Sequence, residues 1–101
     1  MDTISNVKNP TTKAGDGMLH ILLCDDDAIF TETLKRLIEA QPEFNRRYMQ
    51  IECVHDPHAL KKAAVQKADM IFLDIDMGDV NGIALARQIR TIRKDAVLIF
   101  V

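Results

Sequence analysis

The sequence predicts a doubly wound parallel α/β sheet. From Leu19 onward short apolar runs alternate with amphipathic segments, and two of the runs end abruptly in aspartate. The runs "MIFL" (70–73) and "AVLIFV" (96–101) lack in/out alternation, which suits strands covered on both faces. Parallel neighbours of this kind are joined by right-handed crossovers.

Residues 1–17, "MDTISNVKNPTTKAGDG", are polar and contain Pro10, Gly15 and Gly17 without helical or strand period. They are read as a flexible leader, with Met18 the favoured natural start and 18–101 the folded domain. The first strand is Leu19 to Cys24. A helix follows from Ala28 to Ala40, because Phe30, Leu34, Leu37 and Ile38 recur at i, i+4, i+7 and i+8 and form one apolar stripe. Asp27 suits its N-cap, and Pro42 stops it.

"YMQIECVH" (48–55) alternates in the strand period, and Asp56-Pro57 opens a second helix to Lys67 with Leu60, Ala63 and Ala64 inward. "DMIFLD" (69–74) is the third strand, and 75–81 is a loop. Leu85, Ala86, Ile89 and Ile92 define a third helix before the fourth strand.

At 48% hydrophobic and 28% charged, the 101 residues suit one soluble domain. A net charge of -2 without a basic run excludes the electrostatic footprint of a nucleic-acid or anionic-lipid binder, so no direct nucleic-acid or membrane contact is expected. Arg87, Arg90, Arg93 and Lys94 are read as a solvated face. Cys24 and Cys53 lie in strand-like runs and suit reduced, buried thiols. His55 and His58 read as a solvated turn. No apolar stretch approaches the roughly 20 residues of a membrane span, and a cytoplasmic protein is expected.

In open α/β sheets, ligands sit at the carboxyl ends of the strands, where Asp25, Asp26 and Asp74 would meet. Crowded carboxylates repel until one takes a proton or a cation neutralises them. Oxygen ligands select a hard ion, here Mg²⁺. An aspartate beside such an ion can also attack phosphorus as a nucleophile.

These residues carry a resemblance. Asp25-Asp26 after the first strand, with Leu73, Asp74, Met77 and Gly82 in "LD-x-x-M-x-x-x-x-G", resembles the receiver domain of two-component response regulators, a flavodoxin-like fold. The likeness covers Leu19 to Val101. It implies that Asp74 is the phosphoacceptor for a histidine kinase, that Asp25 and Asp26 hold Mg²⁺ with Asp74, and that the Asp76 backbone carbonyl supplies another metal oxygen. Asp27 is then a helix cap only. Gly78 stands where the family usually has proline, and Asn81 replaces a frequent aspartate. "LLCDDD" with "IFLDIDMGDVNG" is similar to receivers that precede LytTR-type DNA-binding domains, which implies a transcriptional output.

The family's fifth-strand lysine, the hydroxyl ending its fourth strand and its switching aromatic have no counterpart here. The resemblance implies the strand order 2-1-3-4-5, and the fold is therefore expected to be truncated after the fourth strand. That leaves "VLIFV" as an apolar edge, and an edge-paired or swapped dimer is expected.

Two other readings compete. In an aspartate-nucleophile phosphohydrolase, "D-x-D" would be Asp74-Ile75-Asp76, but Asp25 and Asp26 then have no role. A receiver-fold interaction fragment without signalling is the other. An EF-hand in "DIDMGDVNGIAL" fails, because Asp79 replaces the sixth-position glycine and Leu85 the bidentate glutamate.

Overall fold

The computed structural model describes residues 17–101, so the leader expected over 1–17 lies, but for Gly17, outside the described residues. The elements in order are β1 (Leu19–Cys24), α1 (Ala28–Glu39), β2 (Met49–Val54), a 3₁₀ turn (Pro57–Ala59), α2 (Lys62–Lys67) and β3 (Met70–Leu73). A hairpin of β4 (Asp76–Met77) and β5 (Val80–Asn81), then α3 (Gly82–Ile92) and β6 (Val97–Phe100), complete the fold.

β1, β2, β3 and β6 form one parallel sheet, as the alternation predicts, in the order β2-β1-β3-β6 that the resemblance implies for the first four strands. Cys24 pairs with Val54 on one side and Leu73 on the other. The residues that follow, Asp25 and Asp74, therefore leave neighbouring strands at the same level. On one face Leu22, Cys24, Ile71 and Leu73 pack against Val65, Ala68, Met77, Ala86 and Ile89 from α2, the hairpin and α3. α1 covers the other face over β1 and β2.

Four details depart from the sequence reading. On α1, Phe30 and Leu37 are 42% and 57% exposed, while Thr31 is buried and Leu34 and Ile38 are half-buried. Phe30 and Leu37 flank the line 31–34–38 rather than sit on it. Period alone does not separate the flank from the centre of a stripe, and a small Thr31 lets the helix approach the sheet.

The second helix is split. Asp56 caps the 3₁₀ turn by accepting from the His58 N–H at 2.9 Å, and Leu60 is then extended at φ −68, ψ 119 before α2 restarts. The restart turns Ala63 outward and brings Val65 inward, while Leu60 stays half-buried.

The expected loop 75–81 contains the β4–β5 hairpin, with Asp76 opposite Asn81 and Met77 opposite Val80. Gly78 takes φ 68 at the first central position of its two-residue turn, where primed hairpin turns require the left-handed region. Proline is locked near −65° and does not fit that geometry.

The basic face is not uniformly solvated. Arg93 is buried, pairs with the fully buried Asp69 at 3.0 Å, and donates to the carbonyls of Ala68 and Gln66 at 2.6 and 3.0 Å. Arg90 is half-buried and caps the end of α3 by donating to the Ala96 and Lys94 carbonyls at 2.6 and 3.0 Å. Arg87 and Lys94 stay exposed.

β6 is an edge of the described sheet, with Val97, Phe100 and the adjoining Val101 exposed. No described helix is long and apolar enough to cross a membrane.

Candidate metal and phosphoacceptor site

Backbone pairing sets the site. The Asp74 N–H donates to the Cys24 carbonyl, and the Asp25 N–H to the Val54 carbonyl, each at 3.1 Å. The ladder is thus carried one residue past the strands, and both carboxylates start from fixed main chain. A carboxylate oxygen each from Asp25, Asp26 and Asp74 lies within 4.8 Å of the others. Asp25 is buried, Asp74 half-buried and Asp26 exposed, so the cluster is rooted in the sheet and open above.

Asp27 stays out of this group. Its carboxylate accepts from the Phe30 N–H at 3.0 Å and caps α1, while its own N–H donates to Asp25 Oδ1 at 2.9 Å. Asp76 opens the hairpin, exposed, and its N–H points at Asp74 Oδ1 at 3.2 Å. Met77 is buried and anchors the loop in the core. Gly78 lies beside Asp26, whose Oδ2 would be 3.9 Å from an added Cβ.

Gly82 holds the site from below. Its N–H donates to the Ile75 carbonyl at 2.8 Å. An added Cβ would run into the Asp74 carbonyl oxygen and come within 2.6 Å of Ile75 Cα. Only glycine lets α3 start this close to the chain that leaves β3. Asn81 caps the helix, accepting from the Ile83 and Ala84 N–H groups at 2.8 and 3.3 Å.

Electrostatics favour a cation here. Burial is the first cause that holds the Asp25 carboxyl above its ordinary range, and the neighbouring Asp74 and Asp26 push the same way against the Asp27 N–H bond. The Cys24 thiol beneath is pushed up to about 11 by burial and by the charges of Asp25 and Asp74. It stays protonated and unreactive. Neighbouring oxygens of an octahedral Mg²⁺ stand about 3.0 Å apart, given ligand distances of about 2.1 Å. Oxygens within 4.8 Å of one another reach that spacing with side-chain rotations, so the donor set fits a hard divalent ion.

The sequence profile of the "Response regulator receiver domain" matches residues 21–101. The chain belongs to the response regulator receiver domain family. This receiver domain is 31% identical over 82% of its length to the sensory transduction protein LytT of Bacillus anthracis, of which it spans 32%. It is 30% identical over 81% of its length to protein-glutamate methylesterase/protein-glutamine glutaminase 3 of Shewanella oneidensis, and spans 22% of that protein.

Among solved structures, the receiver is similar to the response regulator TrrA of Thermotoga maritima in complex with Mg²⁺-BeF. Identity is 31% and the TM-score 0.65, covering 82% of this chain and 68% of that one. The flavodoxin-like parallel sheet expected from the sequence is therefore the fold of the chain. Family membership decides against the phosphohydrolase reading, which also leaves the buried Asp25 unused.

Proposed function

We propose that Asp74 accepts a phosphoryl group from a histidine kinase, with Asp25, Asp26, Asp74 and the Asp76 backbone carbonyl holding Mg²⁺. The convergence of the three carboxylates at the tips of β1 and β3 carries this reading. Asp74 alone follows the inner strand β3 while lying beside the acidic pair that follows β1. Similarity to TrrA, itself solved with Mg²⁺-BeF, supports it.

In the transfer, an Asp74 carboxylate oxygen forms a bond to phosphorus as the phosphorus–nitrogen bond of the kinase phosphohistidine breaks. The electron pair of that bond stays on the imidazole, and no water is consumed. The Asp76 N–H, donating to Asp74 Oδ1, orients the carboxylate. Mg²⁺ would offset the negative charge that gathers on the oxygens around phosphorus. Asp25, rooted and buried, would fix the ion's place, and exposed Asp26 would adjust to it.

The chain spans about a third of the length of the LytT proteins it matches. We propose that in a protein of that kind the switch regulates transcription, in the cytoplasm. The test is incubation with a small acyl phosphate and Mg²⁺, read as acid-labile phosphate by intact mass. One phosphoryl group per chain is expected on the wild type and none on Asp74→Asn. Equal phosphate on that variant refutes the assignment.

A further inference from the structure

We infer that Glu32, Cys53 and His55 form a second metal site, which takes a borderline transition-metal ion of the Zn²⁺ type and ties β2 to α1. One ligand atom from each lies within 4.8 Å of the other two. The site shares no residue with the aspartate cluster, and its donor set is of a different chemical class.

The placement follows from the fold. Cys53 lies in β2 and His55 follows the strand, two residues on, so both side chains leave the same face. α1 packs over β2 on that side and brings Glu32 from its second turn. Cys53 is half-buried between strand and helix, while Glu32 and His55 are exposed. In a tetrahedral Zn²⁺ site with bonds of about 2.0–2.3 Å, neighbouring ligand atoms stand about 3.3–3.6 Å apart. From within 4.8 Å, the two exposed side chains close that gap by rotamer change.

The chemistry selects the ion. A thiolate, an imidazole and a carboxylate together match Zn²⁺ and its neighbours, whereas Mg²⁺ and Ca²⁺ want oxygen alone. Three protein ligands leave one tetrahedral position to water, on the solvent side. Without metal, burial and then the charge of Glu32 hold the Cys53 thiol above its ordinary range, with Lys35 opposing and Glu39 adding. The carboxylate and a thiolate are poor neighbours until a cation stands between them. On binding, the Cys53 S–H bond breaks, its proton goes to solvent, and sulfur bonds the metal with no change of oxidation state.

Co²⁺ is the probe, titrated into the 101-residue chain under excess Mg²⁺, which keeps the aspartate cluster out of the readout. One equivalent with a thiolate-to-cobalt charge-transfer band in the near ultraviolet is expected. Cys53→Ser should abolish the band and Asp74→Asn leave it intact. His55→Asn and Glu32→Gln, both at exposed positions, should each weaken Co²⁺ binding beyond the roughly 10–100-fold lost with a merely supporting partner. No band on the wild type overturns the inference. So does a band that survives Cys53→Ser, or an affinity unmoved by both exposed-ligand variants, which marks a lone adventitious thiolate.

Discussion

Gly82→Ala separates the packing account of the site from a propensity account, because the two predict opposite signs. Alanine is favoured over glycine within a helix by about 1 kcal/mol, so propensity alone predicts a stabler protein. The Cβ would instead stand 2.6 Å from Ile75 Cα and 2.8 Å from the Ile75 carbonyl oxygen, and closer still to that of Asp74. Ordinary carbon contacts are about 3.5–4.0 Å, so something must yield by roughly 1 Å.

Every atom it meets is main chain, and the Gly82 N–H is bonded to the same Ile75 carbonyl. No side chain can swing aside. Overpacking costs about 1–3 kcal/mol, and a main-chain shift of roughly 1 Å puts this case in the upper part of that range, which leaves a net loss of about 1–2 kcal/mol after the propensity gain. Melting should therefore fall by about 5–15 °C for a domain of this size, followed by circular dichroism. Displacing the Asp74 carbonyl should also slow acyl-phosphate labelling, by up to about 100-fold for a 1 Å shift. A variant that melts higher and labels at the wild-type rate would refute the packing argument.

Asp25→Asn should raise the melting temperature at neutral pH without metal. The folded-state pKa of Asp25 is raised, so its protonated form stabilises the fold below the ordinary carboxylate range, and that contribution is lost as pH rises through the raised value. The gain should vanish in acid and under saturating Mg²⁺, and a variant less stable at pH 7 without metal counts against the cluster. Asp69→Ala strands the buried Arg93 guanidinium and should cost about 3–5 kcal/mol in urea unfolding, with Arg93→Met recovering part of it; a loss under about 1 kcal/mol would show the pair to be incidental. The 101-residue chain should self-associate through β6, and Ile99→Lys should return it to a monomer. Light scattering that shows a wild-type monomer at high concentration rules this out.

The parallel sheet was legible because apolar runs and amphipathic segments alternate without ambiguity, whereas the strand order came with the receiver resemblance. Asp25 and Asp74 meet because the register places Cys24 level with Leu73, which the strand order does not by itself fix. Other features depended on atoms far apart in sequence. Arg93 looks solvated by its helical position, and only the fold brings Asp69, 24 residues earlier, against it. At Leu60 the chain turns extended and α2 restarts with Val65 buried, a placement that the local period does not specify. Gly78 signalled its hairpin in principle, through a glycine flanked by pairable residues, but the strands are two residues each and leave no alternation to read. Cys53-Val54-His55 does show two ligand types one strand period apart; the third, Glu32, is supplied by a crossover that the period does not reveal.

β3 and α3 are fastened to each other at both ends. At the top, Gly82 is pressed on the chain leaving β3; at the bottom, Arg93, just past the helix, grips Asp69, just before the strand. A rod pinned twice cannot slide along the sheet; it can only roll about the line joining its pins. A disturbance at the Asp74 carboxylate should then reach α3 as a torsion that turns its outer residues, Ile83 and Arg87 among them, without lengthening or shortening any path through the core. The same two pins make strand and helix a single unit of local opening, so their slowest amides should exchange with solvent together.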